Sequence, residues 1–463
     1  MSVTQVILPF QLAEEASKSG LTSFAGLPLV IETFRAFGLG KKTNRLVHVR
    51  ERKRGFTEAE MVETITTLMA AGGDCVDDVR ILASDPGLVR LWRLKRIPSA
   101  SAVWRFLDGF HGDAMASSEV GKASVPEPTA ALRGLGRVNR ELVRRVQEKR
   151  HETVATLDFD ATLVESAKKQ ALWCYEGYRA YQPIVALWAE LGVVVADEFR
   201  DGNVPAGFRA LEFVKLALNE LPSGLEVRVR SDSAFYDHRV MQYLRRRART
   251  SFAISADVTK ELRAQIVALA ANAWKPLRTF KRDGLLEGRK EWAEVEFVPS
   301  EAGIRKDEKP DRYLAIRVRP AQDELFADGN PFHYYAVVSN MWSWDGERLL
   351  RWQRERCGTV EKTHDVIKNE LGGGVMPSKR FGANAAWWRL AVLTHNLLAA
   401  LKLLALPQEL SDARPKRLRF VLFRLAGRVV VHARKLWLKL ARGCPAYKDY
   451  LAARLALARL APT

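Results

Sequence analysis

Residues 153–160 read Thr-Val-Ala-Thr-Leu-Asp-Phe-Asp, and here the period of the chain changes. Ala155, Leu157 and Phe159 alternate with Val154, Thr156, Asp158 and Asp160. That is the two-residue period of a strand with one apolar face. Asp158 and Asp160 then share the opposite face. Two carboxylates side by side repel each other, and a cation or a raised pKa offsets the repulsion unless the strand end is simply solvated.

Downstream, strands are expected at 183–189 and 192–199, joined by a turn at 190–192. A helix at 206–220, a strand at 225–231, a helix at 237–249 and a strand at 251–255 follow. Three strands, helix, strand, helix, strand predicts an α/β sheet of mixed direction. Further strands are expected at 292–298, 313–318 and 333–339. Helical spacing returns over 346–370 and stops at Gly372, Gly373 and Gly374.

Upstream, residues 1–118 read as helical, with apolar spacing over 56–71 and 76–82. A helix at 99–110 is capped by Ser99 behind Pro98. The basic run 45–54 suits a nucleic-acid-binding head, or equally the solvated face of a packed helical domain. Residues 119–130 (EVGKASVPEPTA) read as a linker and 132–149 as a basic helix. In the tail, residues 412–442 hold ten Lys or Arg and one acid, with Leu418, Val421, Leu422 and Leu425 at helical spacing. A pair of basic amphipathic helices touching phosphate is expected there, with a purely solvated face as the plainer alternative.

Composition sets limits. In 463 residues, 73 Lys and Arg face 54 Asp and Glu, a net charge of +19. Self-repulsion of that size favours a polyanionic partner, nucleic acid before an anionic membrane surface. The most apolar stretch, 387–406, is broken by Arg389, His395 and Lys402, so it reads as a buried helix and no membrane span is expected. Residues 1–16 lack a basic leader and read as no signal peptide, which points to a reducing, cytoplasmic compartment. Cys75, Cys174, Cys357 and Cys444 show no CxxC spacing, against a zinc site or a disulfide framework.

Three acidic motifs stand out. LDFDAT (157–162) holds Asp158 and Asp160. VRSDSAFYD (229–237) puts Asp232 where a strand ends, where ligands of open α/β sheets collect; it is also a plausible helix N-cap. ERCGTVEKTHDVIKNELGGG (355–374) places Glu361, His364, Asp365 and Lys368 on one helix face, apart from the apolar stripe Val360, Ile367 and Leu371. An exposed charge ladder is the bland explanation of that face.

Taken together and in this order, the three motifs resemble the DDE triad of ribonuclease H-like transposases. The gaps are 72 residues from Asp160 to Asp232 and 129 from Asp232 to Glu361. With RFGANAAWW (380–388), they look like the bacterial insertion-sequence transposases that carry a strand-rich insertion before the glutamate. The likeness covers roughly residues 150–440.

The resemblance implies a ribonuclease H-like mixed-sheet catalytic core with a β-rich insertion, flanked by helical N- and C-terminal regions. Its expected boundaries are a helical DNA-binding region at 1–125, the core at 150–255 and 345–405, the insertion at 256–344 and a basic helical region at 406–463. It implies a DNA transposase that binds terminal inverted repeats, cuts the element ends and joins the 3′-hydroxyls to target DNA. It further implies a homodimer on double-stranded DNA and a nucleoid location. Two Mg²⁺ or Mn²⁺ ions would be held by Asp160, Asp232 and Glu361, with Asp160 preferred over Asp158 because Asp-Ala-Thr matches the family's aspartate-x-threonine.

Lys368 matches the family lysine and would contact phosphate; His364 would do likewise or, equally, make a structural hydrogen bond. The family's arginine and tyrosine positions hold Cys357 and Arg354 instead, which leaves Arg354 and Arg356 as candidates for that phosphate contact. Trp274, Trp292, Trp342 and Trp344, in or beside the insertion, are candidates to stack on an unpaired base. A nuclease of the same fold that does not join strands, and a non-catalytic DNA-binding repressor, are the competing functions.

Overall fold

The computed structural model describes residues 20–49, 55–115, 123–278, 290–305, 308–319 and 332–461. The amino-terminal stretch, the end of the basic run 45–54 and the start of the 119–130 linker lie outside them.

Strands β1 (Leu21–Thr22), β2 (Val154–Ala161), β3 (Val164–Glu165), β4 (Leu172–Trp173), β5 (Arg179–Tyr181), β6 (Ile184–Trp188), β7 (Val193–Glu198), β8 (Glu226–Ser231) and β9 (Thr250–Ala256) are followed by β10 (Lys275–Pro276), β11 (Lys290–Val295), β12 (Arg312–Val318), β13 (His333–Ser339), β14 (Gly427–His432) and β15 (Lys435–Leu440). The helices are α1 (Pro28–Ala36), α2 (Leu39–Leu46), α3 (Glu58–Ala71), α4 (Val79–Ala83), α5 (Pro86–Trp92), α6 (Ala100–Asp108), α7 (Ala130–Arg150), α8 (Ala210–Glu220), α9 (His238–Arg246), α10 (Lys260–Val267), α11 (Gly346–Arg354), α12 (Arg356–Glu370), α13 (Phe381–Leu404), α14 (Pro415–Leu418) and α15 (Tyr447–Leu460).

The central sheet runs β10-β11-β12-β13-β9-β8-β2-β6-β7. β2 is parallel to β8 and antiparallel to β6; β8 is parallel to β9, and β7 is antiparallel to β6. The five strands β7-β6-β2-β8-β9 make the ribonuclease H-like core. The strands expected at 292–298, 313–318 and 333–339 form β11, β12 and β13. They extend the same sheet, because β13 pairs with β9. One unit went unread in the sequence: β3, β5 and β4 form a small separate sheet between β2 and β6.

The alternation in β2 sorts its residues between two layers. Phe159 packs on Phe213 of α8 and on Phe235, with centroids 5.9 and 5.3 Å apart. Asp158 and Asp160 face the other layer, where α12 crosses β2. That layer is organised around α13, which is buried on nearly every side; a helix apolar all round needs such a cover. Two of its polar residues bond across to the sheet and to α7, while the buried Trp388 ring N–H has no partner. Arg389 pairs with Asp197 at 3.0 Å, and Asn396 bonds Asn139 of α7 and both backbone groups of Val194 in β7. Helices α1, α3, α6 and α7 also pack on α13, so the amino-terminal helices share one hydrophobic core with the sheet. The Ser99 hydroxyl caps α6 by accepting from Ala102 N–H at 3.3 Å.

The tail departs from the expected basic helix pair. Helical spacing lasts through α14 and a π-helical turn at Arg419–Phe423, where Leu418 and Leu422 are buried. From Gly427 the apolar period falls to two, and β14 and β15 form a hairpin joined to β1. The three consecutive β-branched residues Val429, Val430 and Val431 favour a strand. No helix among the described residues is long and apolar enough to cross a membrane.

Candidate active site at the end of the central strands

Asp160 is the penultimate residue of β2, and Asp232 directly follows β8. The parallel register sets Phe159 opposite Ser231, so the two acids leave the sheet at the same end. Asp232 accepts from Ala234 N–H at 3.1 Å and caps a short 3₁₀ turn, Ser233–Phe235, whereas α9 is capped by Asp237. Glu361 is exposed on the second turn of α12.

The electrostatics centre on Asp160. Burial pushes its carboxyl up to about 7; Arg356 opposes this, and the charges of Asp232 and Glu361 add to it. Asp160 therefore feels both of the other carboxylates. The compensating contacts are loose. Arg356 Nη1 stands 3.8 Å from Asp160 Oδ1, and His364 Nε2 stands 3.7 Å from Oδ2. Burial first, and Lys368 next, hold the His364 imidazole down to about 3, so it is neutral and the contact is no ion pair. Both His364 ring nitrogens and Arg356 Nε are buried without a hydrogen-bond partner. Orphaned polar atoms around a repelled acid mark a place where a polar or cationic ligand would lower the energy.

Asp158, two residues earlier, is in the opposite condition. It is fully buried, and both oxygens accept from Arg230, Nε at 2.6 Å and Nη2 at 2.8 Å. The Thr359 hydroxyl of α12 donates to it as well. Arg230 also donates to Trp352 O at 2.6 Å and lies over the Trp352 ring, so the pair ties β2 and β8 to α11. Fully buried, paired in both oxygens with one guanidinium and bonded by a hydroxyl, this acid already has its charge balanced and is poorly suited to hold an ion.

The other expected residues divide. Arg356 reaches Asp160, while Arg354 ends α11 exposed. Lys368 donates to Leu163 O at 2.7 Å and to Thr162 Oγ1 at 3.3 Å, fastening α12 to the loop after Asp160. Asp365 pairs with Arg414 of the tail. The insertion tryptophans are mostly occupied. Trp274 and Trp292 are buried, and Trp342 lies under Lys309 with its ring N–H on Pro310 O. Trp344 stacks edge-on with Trp352.

Sequence reading missed Arg230 and Thr359, because neither neighbours Asp158 along the chain. It also missed Trp173 and Tyr175, exposed in and beyond β4. The run WCYEGYRAY (173–181) was the available signal: aromatics at close spacing around a glycine turn.

The residues could hold a metal by their chemistry. Asp160, Asp232 and Glu361 offer hard carboxylate oxygens, which suit Mg²⁺ or Mn²⁺. Their oxygens do not all lie within 4.8 Å of one another; among the described residues that spacing occurs at Asp74, Cys75 and Asp78. Two ions spread the ligands more widely than one, so the wider spacing is compatible with a binuclear site. In the Asp74 group, Asp78 already accepts from the backbone N–H of Asp74 and Cys75 at 3.1 and 3.3 Å as a turn cap.

A ribonuclease H-like sheet with acids at the ends of its adjacent central strands is the framework of a DDE-type enzyme. The chain matches the family model described as transposase DDE domain group 1 over residues 13–462, and it belongs to that family. The family generally uses divalent metal ions. No curated protein matches the chain. Among solved structures it is similar to a piggyBac transposase synaptic complex with hairpin DNA, at 12% identity and a TM-score of 0.45, covering 95% of this chain and 86% of that one.

Proposed function

We propose that the protein is a DNA transposase that cuts the ends of its element and joins the exposed 3′-hydroxyls to target DNA. The observation that carries this is the placement of Asp160 and Asp232 at the same end of two paired parallel strands, beside the helix that bears Glu361, with both charges acting on Asp160. Membership of the transposase DDE family supports the reaction class. Asp160, Asp232 and Glu361 would hold the divalent ions. When bound, the ions supply charge stabilisation at the attacking and leaving oxygens of an in-line displacement.

This chain's own residues have separate tasks. Arg356 would face the scissile phosphate beside Asp160. His364, neutral and with both ring nitrogens unpartnered, would hydrogen-bond to bound substrate. Lys368 would hold the 162–163 loop, and through it the end of β2, rather than reach phosphate. The partner is double-stranded DNA, terminal inverted repeats and target alike, bound by a homodimer in the compartment that holds the DNA.

The test is alanine at Asp160, Asp232 or Glu361. Each variant should lose Mg²⁺-dependent cleavage of end DNA by roughly 10³-fold or more, about 4 kcal/mol of barrier, with binding largely kept. Cleavage at the wild-type rate removes that residue from the site. Incubating pre-cut ends with target plasmid separates a transposase from a nuclease, which would yield no joined product.

A further inference from the structure

Residues 413–448 contain eleven Lys or Arg and no Asp or Glu. Their middle is the hairpin of β14 and β15, and its register sorts the side chains. Arg428 opposes Lys439, Val430 opposes Trp437, and His432 opposes Lys435. Residues directly opposite share a face, so one face carries Arg428, Val430, His432, Lys435, Trp437 and Lys439. The other carries Val429, Val431, Leu436, Leu438 and Leu440. Val429 is buried, and Leu438 packs on the main core, so the base of the apolar face is turned inward. The basic face is open: Lys435, Trp437 and Lys439 are exposed, Trp437 at 49%.

Lysine on an edge strand has an ordinary explanation, since it blocks pairing with other chains. That accounts for Lys435 and Lys439. It does not account for a half-exposed tryptophan between them. Nor does it account for the tip, where Ala433 and Arg434 both adopt positive φ, 49° and 62°. A turn with two left-handed residues favours Asn-Gly, and a side chain there costs about 1–2 kcal/mol. Here the strained position presents an arginine. Solvated surfaces usually mix both signs of charge, and this one holds a single sign.

We propose that this hairpin is a β-ribbon that lies on duplex DNA, its basic face in the major groove. Lys435, Lys439 and Arg434 contact phosphates on the groove walls, and Trp437 packs on base edges and sugars between them. A two-stranded ribbon fits a major groove about 12 Å wide. Strands of six residues span about 20 Å, roughly six base pairs. The ribbon anchors DNA away from the carboxylates and rests on the reading of the chain as a DNA enzyme.

The experiment uses the full chain and a fluorescein-labelled mixed-sequence duplex, titrated across a range of KCl. Lys435→Ala with Lys439→Ala should flatten the slope of log affinity against log salt by about 1.8. Trp437→Ala should weaken binding roughly tenfold at fixed slope. Lys435→Arg with Lys439→Arg should restore both affinity and slope, which guards against a folding defect in the alanine pair.

An unchanged slope and affinity in the alanine variants overturn the proposal. So does unchanged DNA binding with a loss of dimer mass by light scattering, which would make the ribbon an interface between copies. Cleavage by wild-type protein is scored separately. Protein that binds through the ribbon but never cuts overturns only the transposase reading, and protein that cuts with an unaltered slope in the variants overturns only the ribbon.

Discussion

At the end of β2, Asp160 sits between buried strands with loose partners and two other acids in its field. At the end of β14, Arg434 stands in solvent on a strained two-residue turn. The first region is largely desolvated and acidic; the second is an exposed positive ribbon. The difference follows from what each can bind. A metal ion needs oxygens fixed to within fractions of an ångström, and parallel strands with a helix packed across them provide that. A phosphate backbone needs only positive charge within reach, and a hairpin in solvent provides it cheaply.

The saturated acid beside the site sharpens the contrast. Arg230→Ala should cost the most stability, about 3–5 kcal/mol, because it strands the Asp158 charge in the interior. A denaturant midpoint close to wild type would show that the pair is incidental. Asp158→Leu with Arg230→Met should recover most of that loss, since both charges then go together.

Asp160 should behave in the opposite sense. Its folded carboxyl lies near 7, above the unfolded value near 3.8. Folding therefore takes up a proton between those values, and in metal-free protein its contribution to stability falls as pH rises from about 4 to about 7. Asp160→Asn should abolish that slope and be more stable than wild type at pH 8 without metal. A wild-type slope that persists in the variant would assign the titration elsewhere. Added Mg²⁺ should stabilise wild-type protein at pH 8 and leave the variant unmoved.

The smallest expected effect lies in the ribbon's turn. Ala433→Asn with Arg434→Gly relieves about 1 kcal/mol of backbone strain. Amides of β14 and β15 should then exchange roughly fivefold more slowly, while duplex binding weakens through the lost Arg434. Faster exchange would show that the turn is not strained in solution.

The chain's own pattern determined much of this. Alternation in residues 153–160 and the strand–helix order that follows depend on local periodicity, and so the sheet core was legible, while the three acidic motifs stood out only as candidates. The hairpin was not, because ten bases among apolar residues read as a helix until the change of period at Gly427 is weighed. The small sheet β3-β5-β4 was missed because strands of two or three residues leave no periodic trace. Asp158 and Asp160 look alike in sequence: same face, same chemistry, two residues apart. Only the tertiary structure separated them, by bringing Arg230 from 72 residues away and Thr359 from 201 residues away onto one and leaving the other with its repulsion. Periodicity along a chain records which face a side chain takes, but the charge it meets there comes from segments that become neighbours only when the chain has folded.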